Sequence, residues 1–332
     1  IVIEFDPETS ESVEAIMAKR PAISLDAEME KLEQFRVKAH TWKDEEYPSL
    51  LKEIYDLPPV LYVRGALAPE DAVSVAVVGT RRPTYYGRET AEQIAGDLAR
   101  NRVTIVSGLA RGIDATAHRA ALEAGGRSIA VFGCGLDIVY PGDHAKLARQ
   151  IMECGALISE FPLGTRPRAD NFPRRNRIMS GLSLGVLVIE ARERSGALIT
   201  AQWALEQNRD VFAVPGSVLS PASRGTNRLI QEGAKLVGDY YDILEELNLT
   251  FAAQQGTLPE TIPTTDTESL IMEHLSSEPI HIDEVVHQCG LPIVTVSSTL
   301  AVMELKGMVR QVGGMNYTVA REARAGYRVR VE

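Results

Sequence analysis

From residue 73 to about residue 249 the chain alternates short apolar runs with helix-patterned stretches at βαβ spacing. Right-handed crossovers leave little for that order except a parallel sheet with helices on both faces, so the fold class expected is α/β and Rossmann-like. Residues 75–78, 103–106, 128–132, 156–159, 185–189 and 211–214 read as strands, and residues 87–101, 114–124, 143–153, 176–180 and 196–207 as helices. The first strand, Val75-Ala76-Val77-Val78, carries no charge, as a strand buried on both faces requires. It runs directly into Gly79, Thr80 and two adjacent arginines, Arg81 and Arg82. In open α/β sheets the ligand lies outside the carboxyl ends of the strands, where exposed N–H groups favour an anion.

Residue types exclude the commonest anions of such sheets. The first turn has a lone glycine in place of G-x-G-x-x-G, and the second strand ends in Ser107-Gly108 where a dinucleotide fold needs an acid. No phosphate-loop motif G-x-x-x-x-G-K-[ST] occurs, and Lys146 is the only lysine between Arg81 and Val214. Three cysteines (134, 154 and 289) without C-x-x-C spacing argue against both a disulfide framework and a zinc site, and point to a reducing cytoplasm. No run of about 18 apolar residues or signal-peptide pattern marks a membrane segment. The chain opens Ile1-Val2-Ile3 without Met, which reads as a trimmed start.

A net charge of −10 would normally count against a nucleic-acid partner, but its distribution weakens that objection. Residues 1–60 hold 14 acidic and 7 basic side chains, which leaves −3 for the remainder. Residues 161–177 carry five arginines (166, 168, 174, 175 and 177) against Asp170 alone, a local +4. An acidic chain with one concentrated basic face is compatible with a localised polyanion site.

Several strand ends offer groups to that site. In the second turn, residues 107–114, Gly108, Arg111 and Gly112 precede a helix with Asp114 as its N-cap. Backbone amides there either cradle a phosphate or simply make a tight turn. His118 follows Asp114 by four residues with Ser107 nearby, but without a nucleophile elbow the pair reads as a helix-face hydrogen bond and not a catalytic triad. In Asn171-Phe172-Pro173-Arg174-Arg175-Asn176-Arg177, Pro173 starts a helix. Arginines in a first turn oppose the macrodipole, a cost that a bound anion would offset. Phe172 is either a platform for a base or a core residue. Ser195-Gly196 opens a further helix after a strand, and Val214-Pro215-Gly216 closes the last.

The motifs Gly-Thr-Arg-Arg-Pro (79–83), Ser-Gly-Leu-Ala-Arg-Gly-Ile-Asp (107–114), Phe-Pro-Arg-Arg-Asn-Arg-Ile (172–178), Ser-Gly-Ala-Leu-Ile-Thr-Ala (195–201) and Val-Pro-Gly (214–216) resemble, in order and spacing, the DNA-processing protein A family (DprA, also called Smf) over about residues 41–249. The resemblance implies a homodimeric, non-catalytic protein of natural transformation, without a cofactor, that binds and shields single-stranded DNA and loads the RecA recombinase. It implies that Arg81, Phe172, Arg175, Asn176 and Arg177 line the DNA pocket, with Gly79, Gly108 and Gly112 giving close backbone approach. Where some members carry a lysine three residues before the Phe this chain has Ala169, and Arg168 stands in for it. With Thr80, Arg82, Arg111 and Ser195 these residues form the candidate site. The alternatives are a Rossmann-like nucleotide hydrolase or phosphoribohydrolase acting on a nucleoside monophosphate, and a regulator that reads duplex DNA. The hydrolases carry a Pro-Gly-Gly turn followed by a catalytic glutamate, and Ser195-Gly196-Ala197 occupies that region here without the acid.

The expected division is a small helical segment over residues 1–40, the α/β domain over 41–249, a linker over 250–266, a winged helix over 267–320 and a basic tail over 321–332. The would-be recognition helix, residues 293–306, has Lys306 but no Arg, Asn or Gln to read a base edge, which favours a partner or dimer contact over DNA. His281, His287 and Cys289 lack metal-ligand spacing.

Overall fold

The computed structural model describes residues 24–249, 265–276, 279–306 and 308–319. The first 23 residues of the expected helical segment, most of the expected linker and the arginine-bearing tail lie outside the described residues. The chain divides into two compact units, residues 1–251 and 252–332.

In the first unit, α1 (Leu25–Gln34) and β1 (Lys38–Thr41) precede α2 (Ser49–Lys52) and β2 (Val60–Gly65). The alternating part follows: β3 (Ser74–Val78), α3 (Tyr85–Arg100), β4 (Thr104–Ser107), α4 (Ile113–Glu123), β5 (Ser128–Phe132), α5 (Ala145–Cys154) and β6 (Gly155–Ser159). It continues through α6 (Asn171–Leu182), β7 (Gly185–Val188), α7 (Gly196–Glu206), β8 (Asp210–Ala213), α8 (Arg224–Gln231), β9 (Lys235–Leu236) and α9 (Tyr240–Glu246). One nine-stranded sheet results, in the order β1-β2-β6-β5-β4-β3-β7-β8-β9. Strands β3 to β9 run parallel, as the crossovers require, while β2 lies antiparallel on β6 and β1 antiparallel on β2.

Every residue of β3 is buried, and its two faces pack on different helices. Val75 and Val77 join Ile94 and Leu98 of α3, Ala117 and Ala121 of α4 and Ile243 of α9. Ala76 and Val78 join Leu51 of α2, Ile178 and Leu182 of α6 and Ala201 of α7. The small residues of β3 fit this two-sided burial, in which each fully buried Val contributes on the order of 1.5–3 kcal/mol. Leu32 of α1 packs with Leu109, Phe132 and Leu157, so residues 25–41 are built into the same body and are not a separate piece before it. From β3 the chain winds outward to β6 and then returns to place β7 on the other side of β3. That reversal opens a crevice beyond the carboxyl ends of β3 and β7.

The second unit contains α10 (Asp266–His274), β10 (Ile280–His281), α11 (Ile282–Cys289), α12 (Ile293–Leu305), β11 (Val309–Gln311) and β12 (Asn316–Val319), with an antiparallel sheet in the order β10-β12-β11. Gly290, at φ 66°, ends α11 in the left-handed region, and Pro292 precedes α12. Ile271, Val285, Val296, Leu300, Met303 and Tyr317 make its core. This is the expected winged helix. Lys306 bonds Glu268 within the unit at 2.7 Å.

Candidate nucleic-acid interface

The crevice at the strand reversal is a cleft of about 620 Å³, lined from the ends of five consecutive parallel strands. Val78 to Arg81 come from β3, Ala110 and Asp114 from the turn after β4, and Tyr140 from the segment after β5. The loop after β6 and α6 supply residues 167–169 and Phe172, Pro173, Arg175, Asn176 and Met179, while residues 195–197, 199 and 200 follow β7. Of the expected site residues, Gly79, Thr80, Arg81, Arg168, Phe172, Arg175, Asn176 and Ser195 therefore meet on one cleft.

The turn carrying Arg81 is held from β7. Thr80 N donates to the Glu190 carbonyl at 2.8 Å, and the buried Glu190 carboxylate accepts Thr84 N at 2.9 Å and Thr84 Oγ1 at 2.5 Å. Thr84 in turn caps α3 by accepting Gly87 N. With both ends of the turn bonded, Arg81 projects into solvent with its guanidinium carbon 5.9 Å from the centroid of Phe172. Among the described residues no carboxylate pairs with Arg81 or Arg168. Arg82 is exposed on the same turn but does not line the cleft.

The second turn departs from its expectation. Gly112, at φ 82°, is the N-cap of α4; the Asp114 carboxylate accepts Gly108 N at 3.1 Å and Ala110 N at 3.4 Å instead. Those two amides are bonded to the protein's own acid. A Cβ on Gly112 would strike the Thr80 carbonyl and the Arg81 backbone, and Ile113 N donates to Thr80 O at 3.2 Å, so glycine here lets the two turns touch. A Cβ on Gly108 would fall on the Arg175 guanidinium. Gly108 and Gly112 thus serve packing between protein segments. Arg111 lies outside the cleft and pairs with Asp143 at 3.1 Å, both side chains well exposed. His118 meets Ser128 Oγ at 2.7 Å in place of Asp114; burial and the nearby Arg175 push its imidazole down to about 3.

The arginines of the 161–177 run have different fates. Helix α6 begins at Asn171, ahead of Pro173, and Asn171 Nδ2 donates to Gly133 O at 3.0 Å. Arg177, the run's most deeply buried side chain at 1% exposure, donates to Asp56 at 2.7 Å and Glu160 at 2.8 Å. It is neutralised inside the protein and does not reach the cleft, contrary to expectation, because α6 turns it toward the acids of the α2 side. Arg174 stands 3.8 Å from the same Glu160, whose carboxyl is pushed up by burial although Arg177 opposes this. Arg175, 5% exposed, passes beneath Gly108 to donate to the Val131 carbonyl; its Nε has no partner among the described residues. Burial lowers its pKa to about 10, with Asp114 pulling the other way, so it stays charged at neutral pH. Asn176 Nδ2 donates to Gly196 O at 3.3 Å, tying α6 to the start of α7, where Ser195 Oγ caps Ala197 N at 3.3 Å.

Tyr140, Ile199 and Thr200 line the cleft and were not expected there. Tyr140 rests on Phe172 with ring centroids 5.6 Å apart, a contact that no local pattern announces. No group of three or more possible metal ligands occurs among the described residues. No single helix among them is long and apolar enough to cross a membrane.

Fold and site together define a Rossmann-like α/β protein, joined to a winged helix, whose strand-reversal cleft presents arginine and aromatic side chains. The family model described as DNA recombination-mediator protein A matches residues 38–248, and that of the DprA winged helix domain matches residues 255–315. The chain is 43% identical over 275 residues to Protein Smf of Escherichia coli, covering 81% of this chain and 74% of that protein. It is 48% identical over 203 residues to DNA processing protein DprA of Streptococcus pneumoniae, covering 61% and 72%. The X-ray structure of DprA from S. pneumoniae superposes with a TM-score of 0.67 at 43% identity, covering 72% of this chain and 83% of that one. A structure of DNA processing protein A from Helicobacter pylori, described for its single-stranded DNA binding mode, gives a TM-score of 0.59 at 30% identity over 65% and 98%. The chain belongs to the DprA/Smf family of DNA recombination mediators, which are DNA-binding proteins and not enzymes.

Proposed function

We propose that this chain binds single-stranded DNA in the strand-reversal cleft without sequence preference and, as a cytoplasmic homodimer, delivers it to the RecA recombinase during natural transformation. The observation that carries the reading is the juxtaposition of Arg81, exposed and unpaired by any described carboxylate, with the ring of Phe172. A cation for the phosphate beside a face for the base is the combination that a flexible single strand needs. Arg168 on the rim and Arg175 beneath the floor add positive potential, against the single acid Asp114. Phosphate contacts position the strand without reading sequence. Delivery to the recombinase and homodimerisation are supported by family membership and by the single-stranded DNA binding of the H. pylori relative. In the winged helix, Lys306 is bonded to Glu268, leaving α12 without a free cation for a duplex and favouring a protein contact.

The test is a titration of thymidine oligomers at several salt concentrations. Arg81→Ala is expected to weaken binding to unrelated single strands alike and to flatten the log–log salt slope by about 0.7 for each phosphate no longer neutralised. Unchanged oligonucleotide affinity and an unchanged salt slope in Arg81→Ala would refute the reading.

A further inference from the structure

Phe172 has a second aromatic neighbour besides its arginine. The Tyr140 ring lies 5.6 Å from it, centroid to centroid, with the planes inclined by 33°. Tyr140 is 48% exposed, lines the cleft, and its hydroxyl has no hydrogen-bond partner among the described residues. Packing and polar bonding therefore leave about half of Tyr140 open at the cleft.

The segment that carries it is bonded to two neighbouring segments and within itself. Gly135 N donates to Thr165 O at 3.0 Å, and Asp137 accepts Gly164 N at 2.9 Å, both toward the loop after β6. His144 Nδ1 meets Leu109 O at 2.9 Å toward the turn after β4, and Cys134 Sγ donates to Ile138 O at 3.2 Å within the segment. A ring presented on a fixed segment loses little further freedom on binding, which is what makes an aromatic side chain an effective contact. Rings at this separation already touch, so no base enters between them. Tyr140 keeps about half of its surface open at the cleft, and two rings inclined to one another suit two successive bases of a bent strand better than one flat base.

Resting on the single-strand reading of the cleft, we propose that Tyr140 is a second base platform, so that Tyr140 and Phe172 hold two adjacent nucleobases while Arg81 holds the phosphate. The ligand class this selects is single-stranded nucleic acid with unpaired bases, as distinct from a bare phosphodiester chain. The two contributions separate experimentally, because stacking depends on the base and charge does not.

The test compares full-length parent, Tyr140→Ala, Tyr140→Phe and Arg81→Ala on a thymidine oligomer and on an abasic oligomer of equal length, with thermal midpoints recorded for each variant. Tyr140→Ala is expected to weaken thymidine binding by about 5- to 100-fold, to leave the salt slope unchanged, and to leave abasic binding where it was. Tyr140→Phe restores binding to the parent's level because the ring and not the hydroxyl makes the contact. Equal losses on both oligomers, no loss on thymidine, or a Tyr140→Phe variant as weak as Tyr140→Ala each overturn the platform. If Arg81→Ala weakens binding while Tyr140→Ala does not, the platform alone fails. If Arg81→Ala has no effect, the reading of the cleft itself fails.

Discussion

Replacing Gly108 with alanine is expected to unfold the α/β unit at a markedly lower temperature, because the added methyl group and the Arg175 guanidinium claim the same space. Arg175 yields only by giving up its bond: it is 5% exposed and donates to the Val131 carbonyl. Moving it forfeits a charged hydrogen bond, worth about 1.5–3 kcal/mol, and strands a buried carbonyl at roughly 1–3 kcal/mol more. A total near 3–5 kcal/mol corresponds to a fall of roughly 6–20 °C for a domain of this size. Gly196→Ala is the control, since no atom lies within 4 Å of its added carbon although it lines the same cleft. Calorimetry of the full chain reads both. A double-mutant cycle sharpens the case: with Arg175→Ala already in place, the methyl at position 108 should cost almost nothing further. A Gly108→Ala protein that melts within about 2 °C of its parent yet loses single-strand affinity would refute this account and return Gly108 to the role of phosphate approach.

Two further outcomes follow from buried charge. Arg177→Met leaves the buried Glu160 carboxylate without its partner at 2.8 Å and is expected to destabilise by about 3–5 kcal/mol in urea unfolding, while the salt slope of oligonucleotide binding stays as in the parent. A reduced slope would put Arg177 back in the interface. His118, held neutral by burial with a pKa of about 3 against an ordinary 6.5, contributes stability that is fully present above pH 6.5 and is lost as the pH falls toward 3. Unfolding free energy is expected to fall by up to about 1.4 kcal/mol per pH unit through that window, and His118→Gln to flatten the dependence. An unaltered profile would disprove it.

What the sequence disclosed and what it concealed differ by the range of the forces involved. The valine run of β3 and its neighbours set strand positions to within a residue or two, because burial on both faces leaves a local signature. The antiparallel seat of β2 on β6 depends on pairs such as Val63 with Ile158, which no local pattern contains. Arginines 174, 175 and 177 look alike in the chain. Yet Arg177 meets Asp56 across 121 residues and Arg175 meets Val131 across 44, so a count of local charge credited the cleft with Arg177, a cation the core neutralises, and placed Arg175 no better than its neighbours. Glu160, one residue before the basic run, was the available warning. Tyr140 escaped notice because its partner Phe172 lies in the first turn of α6, after a different strand.

The bonds that tie Thr80 and Thr84 to Glu190, and Ile113 to Thr80, make the arginine turn a finished shape before any ligand arrives. Ordering on association then falls on the nucleic acid. Thymine tracts, which barely self-stack, enter such a mould readily. Adenine runs must first surrender their own stacking, so a protein blind to base identity would still favour pliant strands over stiff ones.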